Sequence, residues 1–379
     1  VKGRIGIVGG SIAGCAAALG ATRAGYDVTL FERATDLRDR GFGVGMPKAA
    51  YEELTAAGYL DAALPVHPVT HRLWIVAEPG EPTGRVLWRQ PIPAMATSWG
   101  RLWGALADRA VPHYRAGTRV TAVSADGAVT TEDGLTHAFD LVIGADGHHS
   151  RTRSVIDPGP PAREAGYSLW RGTIPQERLP RSLRPIVESS FVTGVFDGGH
   201  AVFYLIPSDT GGRRLMWAVY GCPPGADPAG EPWATIERVL PPAWAEACRE
   251  SETPVVHPVT DRAAATYAAD RVLLIGDAAT LARPHTASGA VKAMLDAACI
   301  ERLLAAGTDL REVPVRYDAE RRPAGNQLVE IGRRLGGAMV DRTPPWGSMT
   351  PEDLSDWTAS VLRGDSHYLY SPGPPDPVN

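Results

Sequence analysis

Residues 4–33 read RIGIVGGSIAGCAAALGATRAGYDVTLFER, and this stretch decides the fold. Arg4–Val8 is a short apolar run of the kind a buried strand needs. Gly9-Gly10-Ser11-Ile12-Ala13-Gly14 follows as a tight turn, and the Ala-rich run Cys15–Ala24, free of proline, reads as a helix closed by Gly25. Asp27–Phe31 is a second apolar strand, ended by Glu32. A strand, a glycine turn, a helix, a strand and a terminal acid make the βαβ unit that binds a dinucleotide. Gly9 permits the turn, the small Ser11 admits a pyrophosphate to the backbone, and Gly14 lets the helix pack close to the strand. The helix N-terminus then offers free N–H groups and a partial positive charge. Glu32, eighteen residues beyond Gly14, is placed to accept from ribose hydroxyls. The middle glycine of the usual pattern is Ser11, whose hydroxyl can add a phosphate contact.

The whole chain of 379 residues is long enough for more than one core. With 38 Lys and Arg against 43 Asp and Glu its net charge is −5, which argues against a general nucleic-acid binder. Four cysteines show no zinc-like spacing, so no metal site and a reduced, cytoplasmic protein are expected. No leader is expected, because the chain enters its first strand at once. No apolar run reaches the ~18 residues that would span a membrane.

Further along, Gly41-Phe42-Gly43-Val44-Gly45 forms a glycine-rich loop before a helix over Lys48–Ala57. Strands are expected at Arg72–Ala77 and Arg85–Arg89, and a helix at Ser98–Asp108 with Ser98 as its cap. Arg101, a cation in that helix's first turn, suggests a nearby anion. Asp126-Gly127 turns a hairpin. Asp140–Gly147 (DLVIGADG) is another buried strand, ending in an acid and a glycine. Tyr167–Thr173, Ser190–Phe196, Ala201–Ile206 and Leu215–Tyr220 read as an antiparallel sheet, followed by a helix near Trp233–Val239. Arg271–Ile275 runs into Gly276-Asp277 and then Arg283-Pro284-His285 before a helix over Ala290–Ala305. A last long helix, Pro314–Gly336, is expected to break near Pro323, and the Pro-rich tail from Pro372 to be disordered.

Three stretches in this order, GGSIAG…FER, DLVIGADG and LLIGDAA…P…G, resemble the single-component FAD monooxygenases related to p-hydroxybenzoate hydroxylase. GGSI with RPH…G…KA is most similar to the branch containing 2,6-dihydroxypyridine hydroxylase. The resemblance implies an α/β, Rossmann-like FAD-binding domain with an inserted, mainly antiparallel substrate sheet and a C-terminal helix. It implies that Gly9, Ser11 and Gly14 hold the pyrophosphate, that Glu32, Arg33 and the Val120 backbone serve the adenosine, and that Arg101 contacts FAD. Arg40 is a second phosphate candidate. Asp146 and Gly147 would serve FAD and the nicotinamide donor. Gly276 and Asp277 would hold the ribityl-pyrophosphate region, Pro284 would lie beside the isoalloxazine, and Gly289, Ala290 and Val291 would offer N–H groups to the flavin. Thr280 stands where the family usually has His, and the stretch RPHTASGAVKA stands where it usually has a Gly-x-Gly after the proline.

The implied reaction takes electrons from NADH or NADPH and oxygen from O2, and hydroxylates an aromatic or N-heteroaromatic small molecule through a C4a-hydroperoxyflavin. His285, beside Pro284, is the candidate base. Strand alternation selects Trp170, Phe203, Leu205 and Trp217 as pocket walls, with Tyr204 and Tyr220 on other faces. Expected segments are FAD-binding at 1–70, 98–164 and 263–306, substrate sheet at 71–97 and 165–262, and a helical C-terminal part at 307–379. A monomer or homodimer is expected. The alternatives are a flavin epoxidase or other oxidative tailoring enzyme of a natural-product pathway, and a non-catalytic flavin-binding protein.

Overall fold

The computed structural model describes residues 2–35, 42–208, 211–221, 233–251 and 254–370. β1 (Arg4–Val8), α1 (Ile12–Arg23) and β2 (Asp27–Phe31) form the opening unit. β3 (Gly43–Pro47) and α2 (Lys48–Ala56) precede a long hairpin, β4 (His67–Glu78) and β5 (Glu81–Ser98). α3 (Trp99–Ala110) and β6 (Tyr114–Arg115) return the chain to β2, and β7 (Val120–Val123), β8 (Ala128–Thr131) and β9 (Thr136–Ala138) make a small meander. β10 (Leu141–Gly144) and the single turn α4 (Arg153–Ile156) lead into β11 (Arg163–Pro175), α5 (Arg184–Val187), β12 (Ser190–Phe196), β13 (Gly199–Pro207) and β14 (Arg213–Gly221). α6 (Trp233–Val239), α7 (Pro242–Arg249), β15 (Val255–Asp261), β16 (Ala268–Ala269) and β17 (Val272–Leu274) follow, and then α8 (Gly289–Ala305), α9 (Val313–Gly336) and α10 (Pro351–Leu362).

Two large sheets result. The first has the order β16-β17-β10-β1-β2-β6 and is parallel except at β16. Ile7 lies between Leu30 and Ile143, and Ile143 beside Leu273, so the centre of this sheet is an unbroken apolar layer. Strands buried on both faces need such runs. α1 and α8 pack on it, and the core includes Cys15, Ala18, Met294 and Ile300. The second sheet has the order β15-β11-β14-β13-β12-β4-β5-β3 and is antiparallel except where β12 meets β4.

Both faces of the second sheet are covered. One carries Leu169, Phe191, Tyr204, Met216 and Tyr220 against Ile331, Leu335, Trp346 and Tyr370 from the C-terminal segment. The other carries Trp170, Phe203, Leu205 and Trp217 against Ile236, Trp244 and Cys248 of α6 and α7. This corrects the pocket-wall expectation: all four residues lie in that second core, and the cavity described below is bounded by the intervening residues. Alternation groups residues by face, but only packing tells which face a ligand meets.

The helix over Pro314–Gly336 does not break at Pro323; α9 runs through it. Proline costs it one hydrogen bond, and tertiary contacts hold the turn. Asn326 exchanges hydrogen bonds with both backbone groups of Ala264 (3.0 and 2.9 Å), and Gly325 sits where a Cβ would come within 1.8 Å of the Tyr267 hydroxyl. α10 was not expected, although Thr350-Pro-Glu-Asp353 is a complete capping box. β4 and β5 extend well beyond the expected strands. Arg40 and the tail from Pro372 fall outside the described residues. Among the described residues no helix is long and apolar enough to cross a membrane, and no cluster of His, Cys, Asp or Glu is placed to hold a metal ion.

Candidate active site

The Gly9–Gly14 turn is held from every side. Gly9 has φ +103°, and an added Cβ would meet the Ala145 carbonyl oxygen at 2.4 Å. A Cβ on Gly14 would lie 1.8 Å from the Gly9 carbonyl oxygen, so only glycine lets α1 approach this closely. The Gly10 N–H donates to Glu32 Oε2 at 2.7 Å, while its carbonyl accepts from Trp103 Nε1 at 2.9 Å. Glu32 Oε1 takes the Ala34 N–H at 2.9 Å. A carboxylate offers about four acceptor sites, so Glu32 keeps capacity for hydroxyl donors.

A cavity of about 750 Å3 opens from this turn and runs between the two sheets. At one end it is bounded by Ser11, Gly147, Gly276, Asp277, Gly289 and Ala290. Two helices open onto it, because Ser11 caps α1 and Ser288 precedes α8. Neither serine caps its helix through the side chain, and neither helix has an acid in its first turn, so both N-termini present uncompensated N–H groups. The accessible surface of Asp277 faces this cavity while protein surrounds it at longer range. That enclosure raises its pKa, against the pull of Lys292. Asp277's turn is fixed by α8: the Gly276 N–H donates to Asp296 Oδ2 (3.0 Å) and the Gly276 carbonyl accepts from Lys292 Nζ (3.0 Å).

Asp146 does different work from that expected of a ligand contact. Its carboxylate accepts from Ser150 Oγ (2.5 Å) and from the backbone N–H groups of Arg151 (2.8 Å) and Thr152 (3.0 Å). It therefore shapes the loop that brings Gly147, at φ +74°, to the cavity wall. Arg101 is also tied up: its N–H donates to Ser98 Oγ at 3.1 Å and its guanidinium to the Ser208 carbonyl. Trp99, not Arg101, reaches the wall. Arg33 is exposed, and Val120 and Val291 are buried outside the cavity wall.

The other end of the cavity belongs to the second sheet and the Pro284 turn. Phe191, His200, Tyr204, Tyr220, Pro284 and His285 meet there. His200 stacks on Tyr220 at 4.6 Å, and His285 lies 5.1 Å from His200 and 4.9 Å from Tyr220, centroid to centroid. His285 is buried, and burial with the nearby Arg283 charge holds its pKa down at about 3. Such an imidazole is neutral at pH 7 and a weak base, which argues against the proton-abstracting role expected of it. Sequence reasoning missed Arg72, which is fully buried on β4. It donates to Thr193 Oγ1 (2.8 Å) and the Leu369 carbonyl (2.7 Å), and lies 4.0 Å over the Trp74 ring. No carboxylate pairs with it among the described residues. The signal was an arginine set directly against the apolar run Leu73–Val76.

A model of the FAD binding domain family matches residues 3–331. The chain is 27% identical to the 2,6-dihydroxypyridine 3-monooxygenase of Paenarthrobacter nicotinovorans, over 92% of this chain and 96% of that one. The structure superposes on 2,6-dihydroxypyridine-3-hydroxylase from Arthrobacter nicotinovorans with a TM-score of 0.81 at 24% identity, covering 100% of this chain and 98% of the other. It superposes on Klebsiella pneumoniae HpxO complexed with FAD and uric acid with a TM-score of 0.79 at 21% identity, covering 96% and 97%.

Proposed function

Since the chain belongs to the FAD binding domain family and is an FAD-dependent monooxygenase, we propose that it hydroxylates a hydroxylated aromatic or N-heteroaromatic small molecule in the cavity between its two sheets. The observation that carries this reading is one continuous cavity, with open helix N-termini and a glycine cradle at one end and aromatic rings at the other. At about 750 Å3 it falls within the range of about 300–1,000 Å3 usual for small-ligand sites.

The residues present fit the cofactor. Ser11 and the α1 N-terminus would face the pyrophosphate, Glu32 the ribose, and Asp277 with the α8 N-terminus the flavin-side half. Bound there, FAD supplies the electron transfer from NAD(P)H and the activation of O2. The chain's own part is to fix the Gly276-Asp277 turn, to present helix N–H groups where negative charge gathers, and to exclude water with Phe191, Tyr204, Tyr220 and Tyr370. Among the described residues Cys15, Cys248 and Cys299 are free and buried, which suits a reducing, cytoplasmic setting.

The purified protein is expected to show a flavin visible spectrum. It should consume NAD(P)H faster when 2,6-dihydroxypyridine, salicylate, 3-hydroxybenzoate or uric acid is added, with hydroxylated product formed. Bound flavin that no ring compound stimulates would sink the proposed substrate class. Gly14→Ala is expected to fold yet hold FAD at least about 100-fold more weakly, a loss of about 2.7 kcal/mol, because the turn must shift to admit the methyl group. Wild-type flavin content in that variant would remove the turn from the cofactor site.

A further inference from the structure

α8 starts uncapped although a serine stands at its N-cap. Ser288 has φ −107° and ψ −1°, and its hydroxyl makes no bond to the helix it precedes. A serine in that place ordinarily takes an extended conformation and accepts from the second or third N–H of the helix. Ala287, one residue earlier, is left-handed, with φ +46° and ψ +27°. A residue with a Cβ visits that region at a cost, and holds it only where its surroundings over-determine the backbone.

What fixes this turn lies 79 residues further along the chain. Ser288 Oγ donates to the Thr286 carbonyl at 2.8 Å and lies 3.3 Å from Nε2 of the buried His367. The direction of the second bond follows from the ring. His367 Nδ1 accepts the Leu369 N–H at 3.3 Å, so it carries no proton. Burial holds the His367 pKa down at about 4, so at pH 7 the ring is neutral and its single proton is on Nε2. Nε2–H therefore donates to Ser288 Oγ, whose own proton goes to Thr286. The segment carrying His367 is clamped on both sides of it. Gln327 Nε2 of α9 donates to Asp365 Oδ1 at 2.7 Å, Arg334 of α9 also binds Asp365, and Arg72 Nη1 of β4 donates to the Leu369 carbonyl at 2.7 Å.

We propose that His367 is a positioning residue for the cofactor: it turns the Ser288 hydroxyl away from α8 and so leaves the first N–H groups of that helix open to the flavin. This rests on the placement of FAD in the cavity given above. Gly289 and Ala290, the first two residues of α8, border the cavity. Gly289 is exposed, and a Cβ added to it would meet nothing nearer than Asp277 Oδ1 at 4.0 Å. A ligand oxygen can take these N–H groups only while the serine oxygen does not. His367 does not itself border the cavity and acts through Ser288, which does. The C-terminal segment thereby serves both ends of the site, the cofactor end through His367 and the ring end through Leu369 and Tyr370 on the cavity wall.

Nitrogen-15 NMR of the histidine-labelled holoenzyme reads the ring without any turnover. The resonance lost in His367→Gln is expected to be that of a neutral ring protonated at Nε2 at pH 7, and a ring protonated at Nδ1 overturns the inference. Flavin fluorescence on dilution of the holoenzyme gives the FAD dissociation constant. His367→Leu frees Ser288 to cap α8 and should hold FAD about 5- to 10-fold more weakly. His367→Gln, whose amide can donate in place of Nε2, should hold it about as the unaltered enzyme does. Adding Ser288→Ala to His367→Leu removes the competing oxygen and should bring the affinity back to within about 2-fold, which a mere loss of packing would not allow. Unchanged affinity in His367→Leu, or a double variant that binds no tighter than the single one, overturns the inference. Ala290→Pro, which removes one N–H of the first turn, separates this inference from the reading it rests on. Unchanged FAD affinity in Ala290→Pro would overturn the placement of the cofactor at α8 and the inference with it. A loss there beside an unaffected His367→Leu would overturn the inference alone.

Discussion

Between pH 7 and pH 5 the folded protein is expected to lose about 4–6 kcal/mol of stability through three buried histidines. His285 is held at about 3 by burial and Arg283, and His367 at about 4 by burial, with the Arg72 charge acting in the same direction. His200 is pushed well below the ordinary value by burial first, and then by His285 and Arg72. Unfolded, each titrates near 6.5. Below that pH the unfolded chain binds a proton at each site and the folded chain does not. The unfolded state thus holds more protons, and stability falls as pH falls, by up to about 1.4 kcal/mol per pH unit for each ring. Above about pH 8, where the unfolded rings are neutral as well, the three contribute no slope. Urea unfolding followed by tryptophan fluorescence at pH 7.5, 6 and 5 checks this, and His367→Gln should flatten the slope by about a third. Equal stability at pH 7 and pH 5 would mean that these rings are not held neutral.

The same three rings mark where the sequence stops being legible. The Gly9–Gly14 turn could be read from the chain because its constraints are local: a φ of +103°, a helix start and a strand end within one short stretch. The second sheet could be read as strands, but not by face. In Gly199–Pro207 every residue from Gly199 to Ile206 is buried, so neither set of alternate positions stands out as facing a ligand, and His200 falls just outside the strand expected at Ala201–Ile206. Tyr204 borders the cavity while Phe203 and Leu205 pack on Trp244 and its neighbours, a choice made by α6, α7 and the C-terminal segment. Asp146 shows the opposite limit. Its place in the chain suggested a ligand contact, yet four donors within the next six residues occupy its oxygens. No spacing rule separates an acid that binds a cofactor from one that folds the loop beside it.

Asp296→Ala is expected to cost about 3–5 kcal/mol, the penalty for stranding buried charge. Asp296 is fully buried, with Lys292 Nζ (2.8 Å) and the Gly276 N–H (3.0 Å) on one oxygen and Arg321 Nε (2.9 Å) on the other. Burial alone would lower the Lys292 pKa; Asp296 and the nearby Tyr267 more than offset it, so the ammonium stays charged. Without Asp296, Lys292 and Arg321 lose the one carboxylate bonded to them among the described residues, and burial then works against their charges. A loss below about 1 kcal/mol on urea unfolding would show that the cluster is not the buried ion network described. Stability and placement are separable here. Lys292→Met with Asp296→Leu removes both the anion and one cation, and should recover part of the stability lost in Asp296→Ala, since apolar replacements of buried pairs are often tolerated. The double variant still lacks the side chains that hold the Gly276 N–H and carbonyl. It should therefore retain FAD as poorly as Asp296→Ala does, because Asp277 depends on that turn for its place at the cavity wall.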